Sequence, residues 1–222
     1  MKTPILLINF KTYKESSGKN AVEIVKQCEA ISKKLNVNIA CAVSACDINS
    51  CSKKSKNIFS QHLDIQDAGA NTGKIHIKAI KENGAIGTLI NHSEDRQTIS
   101  NIKKLIETCK KNKIISVVCS KTISESKQIA ELKPDCIAIE PPELIGGDIS
   151  VTTANPNIIS NTVKAVKKIS PKTIVLCGAG VKTNLDVTTA IRLGAKGVLV
   201  ASGVTKAKNK KQAIENLAKG LK

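Results

Sequence analysis

The chain has 222 residues, 41% of them hydrophobic and 1% aromatic. This length suits two small domains or one α/β barrel, and no run approaches the roughly 20 apolar residues of a membrane helix. Lysine plus arginine number 35 against 18 acidic residues, a formal charge of +17. The lysines are scattered in pairs such as Lys33-Lys34, Lys103-Lys104 and Lys210-Lys211. Phe10, Tyr13 and Phe59 offer no stacking platform for single strands. The charge therefore reads as a solvated basic shell that draws in anionic substrates, not as a nucleic-acid interface.

In chain order, Ile5 to Asn9 reads as a first strand, with no signal-peptide pattern before it. Ala21, Ile24, Val25, Cys28, Ile31 and Leu35 recur at spacings of three and four, an amphipathic helix. Asn38 to Val43 is a second strand, Asp47 to Ser55 a short helix or turn, and Ile58 to Gln61 a third strand. A polar loop, Asp64 to Gly73, precedes a helix over Ile75 to Glu82 that Asn83-Gly84 closes. Ala85 to Ile90 is the fourth strand, followed by a helix marked by Ile99, Ile102, Leu105, Ile106 and Cys109. Ile114 to Cys119 is the fifth. Thr122 and Glu125 have capping-box spacing and open a helix to about Leu132. Cys136 to Ile139 is the sixth strand. Asn155-Pro156 caps a helix carrying Ile159, Val163, Val166 and Ile169. Thr173 to Cys177, a helix over Asn184 to Leu193, Gly197 to Ala201, and a helix with Ala213, Leu217 and Leu221 complete the pattern.

These are eight strand-then-helix units. The strands are near-continuous apolar runs, as parallel strands covered on both faces are. Right-handed crossovers of such units make an open doubly wound sheet or a closed barrel. Eight units in this length predict a (β/α)8 barrel, one domain over residues 1–222. The eight cysteines include no Cys-x-x-Cys. Cys41, Cys119, Cys136 and Cys177 fall in or beside apolar strand runs, so reduced thiols in a cytoplasmic protein are expected, with no zinc ribbon or redox pair.

In such a barrel the chemistry lies at the carboxyl ends of the strands. Strand one delivers Asn9, Phe10 and Lys11; strand four delivers Asn91, His92, Ser93 and Glu94. Strand six delivers Glu140, stiffened by Pro141 and Pro142 and followed by Gly146-Gly147. Strands seven and eight deliver Gly178-Ala179-Gly180 and Ala201-Ser202-Gly203. An amide, an ammonium, an imidazole and a carboxylate thus converge with two small-residue loops suited to cradling phosphate on backbone N–H groups. A dinucleotide fold is excluded, because position 183 is Thr and the glycines come late in the chain.

The set Asn9-Phe10-Lys11, Asn91-His92-Ser93-Glu94, Ile139 to Gly146, Cys177-Gly178-Ala179-Gly180 and Ala201-Ser202-Gly203-Val204 resembles the triosephosphate isomerase family, in its archaeal branch, along the whole chain. The resemblance implies a TIM barrel and an isomerase of a small phosphorylated triose, acting through an enediolate in glycolysis and gluconeogenesis, with no cofactor or metal. It implies Glu140 as base, His92 as electrophile, Lys11 as stabiliser of developing charge and Asn9 as a substrate hydrogen-bond donor. Glu94 stands behind Lys11. Ile145 to Gly147, Gly178 to Gly180, and Ala201-Ser202 hold the phosphate, and Cys119 is a buried neighbour. It further implies a homo-oligomer, dimer or tetramer, with the Asp64 to Gly73 loop reaching a partner. Two departures stand out: Phe10 replaces a bulkier aromatic, and Asp148 puts a charge near the phosphate segment, where it is expected to face solvent. The alternatives are another phosphate-binding barrel isomerase and a basic nucleic-acid-binding barrel.

Overall fold

The protein, as a computed structural model, is described over residues 1–141, 152 and 156–222. Eight parallel strands close into a barrel in sequence order. They are β1 (Ile5–Asn9), β2 (Asn38–Val43), β3 (Ile58–Ser60), β4 (Gly87–Ile90), β5 (Ile115–Ser120), β6 (Cys136–Ile139), β7 (Ile174–Cys177) and β8 (Gly197–Val200). The first and last strands pair over Ile5↔Gly197 to Ile8↔Val200 and so close the ring. Around it, among the described residues, lie α1 (Lys19–Leu35), α2 (Ile48–Ser52), α3 (Ile77–Glu82), α4 (Ile99–Asn112), α5 (Ile123–Glu131), α6 (Pro156–Ile169), α7 (Asn184–Arg192), α8 (Ser202–Thr205) and α9 (Lys210–Lys219). The predicted barrel is the observed one, and each strand lies within about two residues of its expected ends.

Alternation along the strands builds two cores. Ile5, Leu7, Ala40, Ala42, Phe59, Leu89, Val117, Cys119, Cys136, Ala138, Leu176 and Leu199 point into the barrel and pack on one another. The intervening residues, such as Leu6, Ile8, Ile137, Ile139, Val175 and Val198, meet the helices. This parity positions the site. The inward rows Leu7 and Cys136-Ala138, carried on by two places, end at Asn9 and Glu140. The ladder continues past the strand ends, with Glu140 N–H donating to the Ser120 carbonyl (2.8 Å) and Gly178 N–H to that of Ile139 (2.9 Å).

Local details refine the expected elements. The Asn83-Gly84 stop is observed: Gly84 has φ 98° and Ala85 N–H returns to the Ile80 carbonyl (3.0 Å). Thr122 caps α5 by accepting from Glu125 N–H (3.1 Å). The reciprocal half of that box is missing, because Glu125 Oε2 turns to Lys121 N–H (2.6 Å). The complete box is at Thr183 and Asp186, where α7 begins. The Asn155 cap lies outside the described residues. All eight cysteines are free; seven are buried and Cys46 is exposed. No described helix is long and apolar enough to cross a membrane.

Candidate active site

The first wall of the mouth comes from β1. Asn9 is buried, and its Oδ1 accepts the Lys11 backbone N–H (3.0 Å). Lys11 adopts φ 50°, a region L residues avoid. Gln61 also holds that backbone, its Nε2 donating to the Lys11 carbonyl (2.9 Å) and the Ala42 carbonyl (3.2 Å). The Lys11 ammonium then reaches Glu94 Oε1 at 2.7 Å, with its side chain mostly sheltered while the carboxylate is more than half exposed.

His92 follows β4. Its Nδ1 accepts the Glu94 backbone N–H at 3.3 Å, so the proton of a neutral ring is assigned to Nε2. The other oxygen of Glu94 lies 3.5 Å from Nδ1 without completing a hydrogen bond. One carboxylate therefore stands beside both Lys11 and the back of the imidazole. The ring's Nε2 faces Glu140 Oε2 at 3.8 Å.

Glu140 is buried, and its Oε2 has no hydrogen-bond partner among the described residues. A buried acceptor left unpaired costs roughly 1–3 kcal/mol and calls for a reason. Beneath it lies Cys119. Burial first, then the charge and hydrogen-bonding reach of Glu140, push that thiol well above its ordinary range, so Cys119 stays protonated under the carboxylate. Beside it stands Gly178. A β-carbon there would sit 2.5 Å from Glu140 Cγ and 3.1 Å from Oε1. The absent side chain at 178 is the space that the Glu140 stem occupies.

Small residues of the loops after β7 and β8 contribute to the rest of the lining. Gly180, Ala201 and Ser202 line the same cleft as Asn9, Lys11, His92 and Glu140. The Gly180 loop is tied down through Asp186. This carboxylate accepts from Lys182 N–H (3.1 Å), Thr183 N–H (2.9 Å) and the hydroxyls of Thr183 and Thr152 (both 2.8 Å). Burial raises its pKa, but the Lys182 N–H, the Thr152 and Thr183 hydroxyls and the Thr183 N–H outweigh that, and the net shift is downward. Tyr13 also faces the cleft, with the Lys206 ammonium 4.3 Å from its ring centre.

The structure thus gathers Asn9, Lys11, His92, Glu140, Gly180, Ala201 and Ser202 at one mouth, with Glu94 behind Lys11. Gly178 packs against the Glu140 stem, behind the residues that line the cleft. Ile145, Gly146, Gly147 and Asp148 lie outside the described residues. Gln61 and Tyr13 gave no signal in the sequence, because their partners Lys11, Ala42 and Lys206 are far away along the chain, and Asp186 gave none because its local box with Thr183 uses aspartate. No described cluster of three His, Cys, Asp or Glu side chains has the form of a metal site.

Known proteins resemble this chain along its whole length. The family profile described as triosephosphate isomerase matches residues 4–217. A triosephosphate isomerase of Methanothermus fervidus is 44% identical over 218 residues, covering 98% of each chain. That of Methanobrevibacter smithii is 45% identical over 222 residues and the full length of both. The crystal structure of the Bartonella henselae triosephosphate isomerase superposes with a TM-score of 0.76 at 16% identity, over 99% of this chain and 98% of that one, which speaks for the fold. With the barrel, the family profile and archaeal kinship all running the length of the sequence, the chain belongs to the triosephosphate isomerase family.

Proposed function

We propose that Glu140, His92, Lys11 and Asn9 carry out the family's reaction, the interconversion of D-glyceraldehyde 3-phosphate and dihydroxyacetone phosphate. The chain is accordingly an intramolecular aldose–ketose isomerase acting on a triose phosphate. The observation that carries the assignment of roles is the unpaired, buried Oε2 of Glu140, 3.8 Å from the His92 Nε2. A carboxylate oxygen that nothing in the described protein satisfies is available to a substrate C–H.

In this reading Glu140 Oε2 takes a proton from C1 of the ketose, and the bonding pair becomes the C1–C2 double bond of an enediolate. The His92 Nε2–H donates to the oxygen on which charge collects. Lys11 supplies the fixed positive charge. The amide end of Asn9 not engaged with Lys11 N–H donates to a substrate oxygen. The hydroxyl proton on O1 passes to O2 beside the His92 Nε2, the O1–H pair becoming the C1 carbonyl, and return of the proton from Glu140 to C2 gives the aldose. The pairing of a carboxylate base with a neutral imidazole is a known pattern of this family. The small-residue wall at Gly180, Ala201 and Ser202 is suited to the phosphate, and the basic shell to its approach. Ile145 and Gly146 join the phosphate site by resemblance alone.

The test is isomerisation in D2O, with the product followed by NMR. A base-mediated route places solvent deuterium on the carbon that receives the proton, in a substantial fraction of product. No turnover, or turnover with no deuterium at all, would rule the mechanism out, the latter by indicating hydride transfer.

We further propose a homo-oligomer working in the cytoplasm, with the chain as one barrel domain. The free cysteines suit a reducing compartment. Residues 67–70 and 72–74 of the long polar loop are exposed, as a segment reaching a partner would be in an isolated subunit. Sedimentation at micromolar concentration is expected to give a dimer or tetramer; a clean monomer removes the proposal.

A further inference from the structure

Only two of the 35 basic residues are arginines, Arg96 and Arg192. Lysine does the work elsewhere, so a guanidinium at position 96 draws attention to geometry. Arg96 Nη1 donates to the Asn91 carbonyl at 3.2 Å and lies 3.5 Å from Glu125 Oε1. One guanidinium nitrogen thus stands between a backbone oxygen and a carboxylate, its place set by a planar, weakly hydrated group that a shorter-reaching ammonium does not reproduce.

Asn91 precedes His92 and is 1% exposed, with φ 60°. Its side chain is used at both ends. Nδ2 donates to the Cys119 carbonyl (2.9 Å) and to Glu125 Oε1 (3.2 Å), while Oδ1 accepts from Gln97 N–H (2.9 Å). Glu125 is fixed in turn by Lys121 N–H (2.6 Å). The peptide that launches His92 is therefore gripped from its own loop and from the next strand–helix unit. The Cys119 that anchors it is also the residue beneath Glu140. None of Asn91, Arg96 and Glu125 lines the cleft.

We propose that Asn91, Arg96 and Glu125 form a positioning clamp that holds the His92 imidazole in register with Glu140. The clamp acts through His92 and so rests on the role given to His92 above. Asn91 supplies a left-handed turn that few side chains tolerate, and then locks it with its own amide. Glu125 carries the lock across to the β5 side, and Arg96 closes it over the carbonyl. A loosened clamp leaves substrate binding nearly intact but lets the imidazole drift from the reacting oxygen.

The test is a double-mutant cycle. Asn91→Gly keeps access to the left-handed turn and removes the three side-chain bonds; Arg96→Lys keeps the charge and removes the guanidinium nitrogen that reaches the Asn91 carbonyl. Each is expected to lower kcat about tenfold with KM within about twofold, and to shift the His92 Nε2–H signal in nitrogen-15 NMR. In a His92→Gln background the same changes are expected to cost less than about twofold, because the group they position is gone. Circular dichroism and Tm establish that each variant is folded, and Arg96→Lys serves if Asn91→Gly is not. Equal losses in both backgrounds, or unchanged kcat in the single variants, overturn the clamp while leaving the role of His92 standing. A His92→Gln enzyme with wild-type kcat overturns the assignment of His92, and the clamp with it.

Discussion

Replacing Glu140 with glutamine is expected to lower kcat by about 10³-fold while leaving KM within about threefold, in line with the contribution of a positioned general base. Glutamine matches the stem that fits over Cys119 and against Gly178, so the packing survives and only the proton acceptor is lost. The fold should not suffer. The charged oxygen has no partner among the described residues, and removing a buried, unpaired charge is neutral or stabilising for many proteins. A coupled assay together with Tm separates the two effects: the rate collapses and the melting point holds or rises. A variant within tenfold of wild type would mean that another group takes the proton.

The second large effect is expected at a position with no side chain. Gly178→Ala places a carbon 2.5 Å from Glu140 Cγ, well inside van der Waals contact. Gly178 does not have a positive φ, so its backbone accepts alanine without strain. The Glu140 stem must then move. A carboxylate shifted by about 1 Å costs about 10²-fold in kcat, with little change in KM if the phosphate wall is untouched. Alanine also narrows the unfolded ensemble, which offsets part of the packing penalty. Turnover within threefold of wild type, with the variant folded, would show that Glu140 tolerates displacement and that position 178 does not constrain it.

Much of this was readable from the residues. The strands declared themselves as short apolar runs, and with parallel strands the active residues had to lie just beyond them. Asn9, His92 and Glu140 follow from that rule. Other features turned on which of several partners wins, or on signals too short to register. Thr122 and Glu125 have the spacing of a capping box, yet Glu125 is drawn away by Lys121 and Asn91. Thr183 and Asp186 form the complete box with aspartate where glutamate or glutamine is usual. The single turn α8 is too short to show periodicity, and α9 starts at Lys210, where lysines carry no apolar signal and Asn209 supplies the cap. Gly178 was expected at the phosphate because glycine-rich loops commonly bind one. Its contact with the stem of Glu140 is visible only once two adjacent strands are in register.

The exposed Cys46 gives the molecule a built-in handle. With seven thiols shut away from solvent, a maleimide dye finds a single target without any engineering. That target lies just after β2, on the rim where the strands deliver Asn9, His92 and Glu140. A fluorophore fixed there would report the arrival and departure of ligand in real time.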